Sequence, residues 1–188
     1  MRGNVYGTAN DWAILVHDEG RDCDSWRPLV VPLAELGLRV LAFDLRGHGA
    51  SDDPWQPARA PDDVLAAARF AESLGARAPV LVGAGVGATA ALVAAGRGEA
   101  RALVLLSPRA ALAGVEQEAV RESNAPKLIV VGGHASGPPE EAAELYRRTI
   151  GWGLLQSPPV AEQGTDLLAS VWGEHVLEHI VAFVRDYV

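Results

Sequence analysis

The sequence predicts an α/β protein: a doubly wound, mostly parallel sheet of six or seven strands with helices on both faces. Three observations point there. Short apolar runs alternate with longer amphipathic segments along the whole chain. The runs are rich in Val, Ile and Leu at every position, as in strands buried on both faces of a parallel sheet. The length of 188 residues, 49% hydrophobic and 21% charged, suits the core of one domain. Residues 1–188 are expected to form a single domain.

The elements follow in order. Trp12–His17 predicts the first strand and Arg27–Leu36 the first helix. Arg39–Leu45 predicts the second strand. The loop Asp52–Pro61, with its prolines and Trp55, is expected to cross the sheet edge over the ligand-binding end. Pro61–Leu74 predicts a helix, because Pro61 suits a first turn and Asp62 and Asp63 meet the positive end of its dipole. Pro79–Gly83 and Ala88–Ala95 predict the next strand and helix. Strands at Ala102–Ser107 and Leu128–Gly132 follow, then a helix over Pro139–Arg148 whose Pro138, Pro139, Glu140 and Glu141 repeat the same start signal. A weaker strand is expected near Gly153–Gln156. The last helix spans Glu174–Tyr187 and buries Val176, Leu177, Ile180, Val181, Phe183 and Val184.

Charge and cysteine content exclude several functions. The formal net charge is -8, Lys127 is the only lysine, and no basic run occurs, so neither nucleic acid nor an anionic membrane is an expected partner. The single cysteine, Cys23, cannot form an internal disulfide or a thiolate metal site, and Asp22 and Asp24 should raise its pKa. No apolar stretch approaches about 18 residues, so neither a signal peptide nor a membrane span is expected, and the location is read as cytoplasmic.

Ligands in such folds bind outside the carboxyl ends of the strands. The residues there are His17-Asp18-Glu19-Gly20, Asp44-Leu45-Arg46-Gly47-His48-Gly49, Gly83-Ala84-Gly85-Val86-Gly87, Ser107-Pro108-Arg109, Gly133-His134-Ala135-Ser136 and Glu162-Gln163-Gly164. ILVHDEG with Ser25-Trp26, RVLAFDLRGHGAS, PVLVGAGVGATAAL, PKLIVVGG and EQGTDLL stand in one order along the chain. In that order they resemble the α/β-hydrolase family, and more narrowly its small, lidless dienelactone-hydrolase-like branch. The resemblance implies an α/β-hydrolase fold without a lid domain. It also implies that Gly85 stands at the nucleophile position, Ala135 or Ser136 at the acid position and Gln163 at the base position. Acyl transfer of this type needs a nucleophile, a base and a carboxylate, so the resemblance implies a degenerate triad and a protein retained for binding. The backbone amides of Asp18 and Val86 are the expected oxyanion donors, with the Asp18 carboxylate working against an anion there. His17 and His48 are expected to shape loops, and Asp44 and Arg46 to pair with each other.

Other readings compete. Ser107 and His134 end neighbouring strands and could form a relocated dyad of a weak esterase or lactonase. Gly83-x-Gly85-x-x-Ala88 satisfies a dinucleotide fingerprint, with Arg109 placed for a ribose phosphate, although turn glycines allowing tight packing explain it as well. His175 and His179 share a helical face at metal-binding spacing but fall on a solvated margin. The tryptophans at 12, 26, 55, 152 and 172 suit packing better than a ligand floor. The expectation is therefore no cofactor and no metal. The partner expected is a small ligand in the crevice above Gly85, another protein, or a second copy at the sheet edge near the C-terminal helix.

Overall fold

The computed structural model describes residues 1–52, 54–98, 100–115 and 123–188. Its elements are β1 (Arg2–Tyr6), β2 (Asp11–Val16), α1 (Arg27–Glu35), β3 (Leu38–Asp44), α2 (Ala60–Ser73), β4 (Val80–Ala84) and α3 (Val86–Arg97). They continue with β5 (Ala102–Leu106), β6 (Lys127–Val130), α4 (Pro138–Arg148), β7 (Gly153–Gln156) and α5 (Gly173–Arg185). Short 3-10 turns lie at Cys23–Trp26, Pro57–Arg59 and Gly164–Ala169. The strands make one seven-stranded sheet in the order β1-β3-β2-β4-β5-β6-β7, parallel except for β1.

The alternation of side chains along each strand divides the core into two layers. Trp12, Ile14 and Val16 of β2, with Leu103 and Leu105 of β5 and Ile129 of β6, pack against α2, α3 and α4. Ala13, Leu15, Val104, Leu106, Leu128 and Val130 face the other way, onto α1 and α5. Both layers are apolar, which is why β2, β4, β5 and β6 read as unbroken apolar runs. Helix α3 is buried around nearly all of its surface and is built of Ala, Gly, Val, Leu and Thr, small enough to sit between the sheet and α2.

Strand β1 was not expected. All five of its residues are exposed, so it lacks the apolar run that marks the other strands, and it forms because the open edge of β3 offers backbone partners, Arg2 opposite Asp44 through Tyr6 opposite Val40. The connection from β5 to β6 runs over 107–126, and its described residues contain no lid. Among the described residues, no helix is long and apolar enough to cross a membrane.

Candidate functional site

The β4–α3 turn sits at the centre of the strand ends. Gly85 adopts φ +52°, ψ -118°, a conformation that a residue with a Cβ resists. That turn lets α3 begin at Val86, two residues before the expected Ala88. The flanking glycines serve close packing. A Cβ on Gly83 would lie 2.4 Å from the Ala88 Cα, and one on Gly87 would lie 2.2 Å from the His17 carbonyl oxygen.

Asp18 closes the turn from above. Its Oδ1 accepts hydrogen bonds from the Val86 N–H at 2.8 Å and the Glu19 N–H at 2.8 Å. A Cβ on Gly85 would fall 2.0 Å from the Asp18 Cγ, so the carboxylate occupies the space that a side chain at position 85 would need. The expected donor pair was Asp18 and Val86. The pair observed is Glu19 and Val86, because the Asp18 side chain folds back and itself becomes the anion they bind. The same contact takes the N–H at the start of α3 that a pyrophosphate would use.

Ser107 and Gln163 form a closed polar unit beside it. Ser107 is the only described non-glycine residue with positive φ, at 47°. Its Oγ donates to Gln163 Oε1 at 2.7 Å and accepts from the Gly164 N–H at 2.9 Å. Gln163 Nε2 donates in turn to the carbonyls of Gly132 at 3.0 Å and Ala161 at 3.1 Å. The amide thus ties β5, the end of β6 and the 164–169 turn together. The Ser107–His134 pairing is not made: the hydroxyl's proton goes to an amide oxygen. The His134 side chain is exposed, and its backbone N–H is anchored on the Val160 carbonyl at 2.9 Å. Ala135 lies beside it half-buried and Ser136 is exposed.

The loop after β3 corrects a second pairing. Asp44 does not meet Arg46. Its Oδ1 accepts from the Cys23 N–H and its Oδ2 from the Ala50 N–H, each at 2.8 Å. Burial alone would raise the Asp44 pKa, but the N–H groups of Ala50 and Cys23, the Cys23 thiol and nearby His17 outweigh it and hold the carboxyl below its usual range. Arg46 instead forks onto Asp63 of α2, with Nε 3.1 Å and 3.0 Å from the two carboxylate oxygens and a further bond from Nη2. The sequence assigned Asp63 only to the dipole of α2; its burial, which marks this role, is seen only in the fold.

Both expected loop-shaping histidines have their ring nitrogens engaged. The Leu45 N–H donates to His17 Nε2 at 2.9 Å, which leaves Nδ1 to donate to the Asp18 carbonyl at 2.7 Å. His17 is fully buried, and desolvation lowers its pKa despite that backbone bond. The Gly20 N–H donates to His48 Nε2 at 3.1 Å, and His48 Nδ1 meets the Arg46 carbonyl at 3.0 Å. Trp55 stands edge-on to His48 and donates from Nε1 to Glu19, and the Asp52 carbonyl accepts from the Gly47 N–H at 3.3 Å, so described residues of the 52–61 loop reach the site.

Two outlying candidates take quieter positions. Burial first, then the Asp44 carboxylate and the charges of Asp24 and Asp22, push the Cys23 thiol up to about 11. His175 and His179 are exposed on α5, with Nδ1 atoms near Glu178 Oε2 at 3.3 Å and Gln156 Oε1 at 2.9 Å. Among the described residues, no group of three or more metal-ligating side chains occurs. Above the Gly85 turn, Asp18, Ser107, Arg109, Glu141 and Gln163 line a crevice of about 50 Å³.

Known structures share this architecture. A monoacylglycerol lipase from Paleococcus ferrophilus superposes with a TM-score of 0.82 at 18% identity, over 100% of this chain and 99% of its own. Est1E from Butyrivibrio proteoclasticus, solved with ferulic acid bound, gives 0.81 at 18% identity over 98% and 95%. The enol-lactonase from Burkholderia xenovorans LB400 gives 0.77 at 15% identity over 97% and 95%. No functionally curated protein matches the sequence. The sequence model of the Alpha/beta hydrolase family matches residues 13–183, from within β2 to two residues before the end of α5, and the chain belongs to that family.

Proposed function

We propose that this chain is a non-hydrolytic member of its family, derived from the lidless dienelactone-hydrolase-like branch and retained as a binding scaffold. The observation that carries this reading is the Asp18 carboxylate on the Val86 and Glu19 amides, over a glycine turn. Acyl transfer builds negative charge where such amides point, and it needs them vacant. Here a fixed carboxylate holds them, so a developing oxyanion would meet a like charge at contact distance. Gly85 offers no attacking atom, the Gln163 amide is not a base, and Ala135 and Ser136 carry no carboxylate to orient one.

The crevice size speaks against a small organic ligand at this position. About 50 Å³ of water-accessible space is far below the about 300–1,000 Å³ of pockets for small organic ligands. The test is p-nitrophenyl acetate turnover together with fluorophosphonate labelling of the purified protein. The expected result is no stoichiometric adduct and at most a trace rate, within the residual about 10³–10⁴-fold over water that a site lacking its triad retains. A stoichiometric adduct, or turnover lost on Ser107→Ala and separately on His134→Ala, would overturn the reading.

A further inference from the structure

We propose that β7 is a self-association edge, through which two copies of this chain pair antiparallel about a two-fold axis to form one continuous sheet. The proposal rests on the edge itself and is independent of the reading of the Gly85 site.

The first ground is the backbone. Strand β7 pairs with β6 on one side only. The Lys127 N–H donates to the Trp152 carbonyl at 3.1 Å and the Val131 N–H to the Gln156 carbonyl at 3.0 Å, so the even-numbered residues turn their peptide groups toward β6. In a parallel ladder the residues between them turn theirs outward. Gly153 and Leu155 are those residues. The Gly153 carbonyl already accepts from the Tyr146 hydroxyl at 3.0 Å. Leu155 is left as the residue that presents an N–H and a C=O together. An antiparallel copy centred on Leu155 exchanges both bonds with its own Leu155, which is the self-complementary arrangement a two-fold interface requires.

The second ground is side-chain chemistry. Trp152 is 54% exposed, Leu154 42%, Leu155 36% and Ile150 51%, so four large apolar residues cluster within residues 150–155 of this edge. Residues 150–160 contain no ionisable side chain, although the chain as a whole carries a charge of -8. Natural edge strands are protected by shortness, charges, prolines or bulges; β7 is short, at four residues, but has neither a charge nor a proline within it. The β1 edge differs in carrying charge: Arg2 lies within it, and Asp22 and Asp24 line the groove beside Gly3 and Asn4.

The neighbouring helix is compatible with the same axis. Trp152 stacks on Phe183 of α5 at 6.2 Å, and Gln156 meets His179, so α5 flanks β7 on one face. Across the axis the two α5 helices run antiparallel. Glu174 and Glu178 of one copy then lie toward the end of the other that carries Arg185 and Asp186, whose charges cancel.

Sedimentation equilibrium on the full chain tests the proposal. The wild type is expected to be dimeric at micromolar concentration. Leu155→Pro removes the outward N–H without touching a β6–β7 bond, so it should raise the dimer dissociation constant at least about tenfold while circular dichroism and the melting transition persist. Should that variant fail to fold, Trp152→Lys gives the same reading by placing charge on the edge. Val5→Lys on β1 should leave the dimer intact. A wild type that stays monomeric at several hundred micromolar, or a dimer that survives Trp152→Lys and dissociates on Val5→Lys, would overturn the proposal.

Discussion

Asp18 and Gly85 depend closely on one another at the strand ends. The carboxylate needs the volume that a side chain at 85 would fill, and the turn needs the positive φ that glycine adopts without strain. Gly85→Ser alone should therefore cost about 1–3 kcal/mol in chemical denaturation, from strain and overpacking together. Adding Asp18→Gly should recover the overpacking share, so the double variant is less destabilised than the sum of the singles. Strict additivity would mean that the carboxylate and the added side chain never compete. That Gly85 lies in the turn between a strand and a helix was legible in the sequence. That Asp18 fills the gap was not, because a side chain's direction depends on a loop conformation that residue order does not encode. The same limit explains the Asp44–Arg46 expectation. Proximity in sequence suggested the pair, but Asp44 turns inward to two N–H groups while Arg46 turns outward to α2.

At the scale of elements, the buried strands were readable because both of their faces are apolar. The limits of the parallel strands agree with the expected ones to within two residues, and Gly153–Gln156 coincides. Strand β1 escaped notice for the opposite reason, since an edge strand exposed on both faces needs only backbone partners. The contact between β2 and α3 offers a direct test of the packing role of the turn glycines. A Cβ on Gly87 would meet backbone atoms of Val16 and His17, which cannot rotate away as a side chain can. Gly87→Ala is expected to destabilise by about 1–3 kcal/mol through forced separation of helix and strand. An unchanged denaturation midpoint would show that these elements can part at little cost.

Over the whole molecule, acid sensitivity follows from groups that the fold holds in one protonation state. His17 is buried with its pKa lowered, whereas the unfolded imidazole titrates near 6.5. Between the folded pKa and 6.5 the unfolded chain binds more protons, so stability rises with pH across that window and is level above it as far as His17 is concerned. Asp44, with its pKa lowered, adds a contribution that is present above 3.8 and lost as pH falls through its folded value. Melting temperatures recorded from about pH 7.5 to about pH 5 should fall on acidification. His17→Gln, which cannot titrate, should flatten that slope, and an unaltered slope would assign it to another group. The lock between Asp18 and Gly85 also bears on how such a scaffold could change over evolutionary time. A serine arriving first at 85 collides with the loop, and a loop emptied first gives up two satisfied amides with nothing yet gained in chemistry. Each of these single steps costs stability, so position 85 and the carboxylate at 18 exchange freely only as a pair.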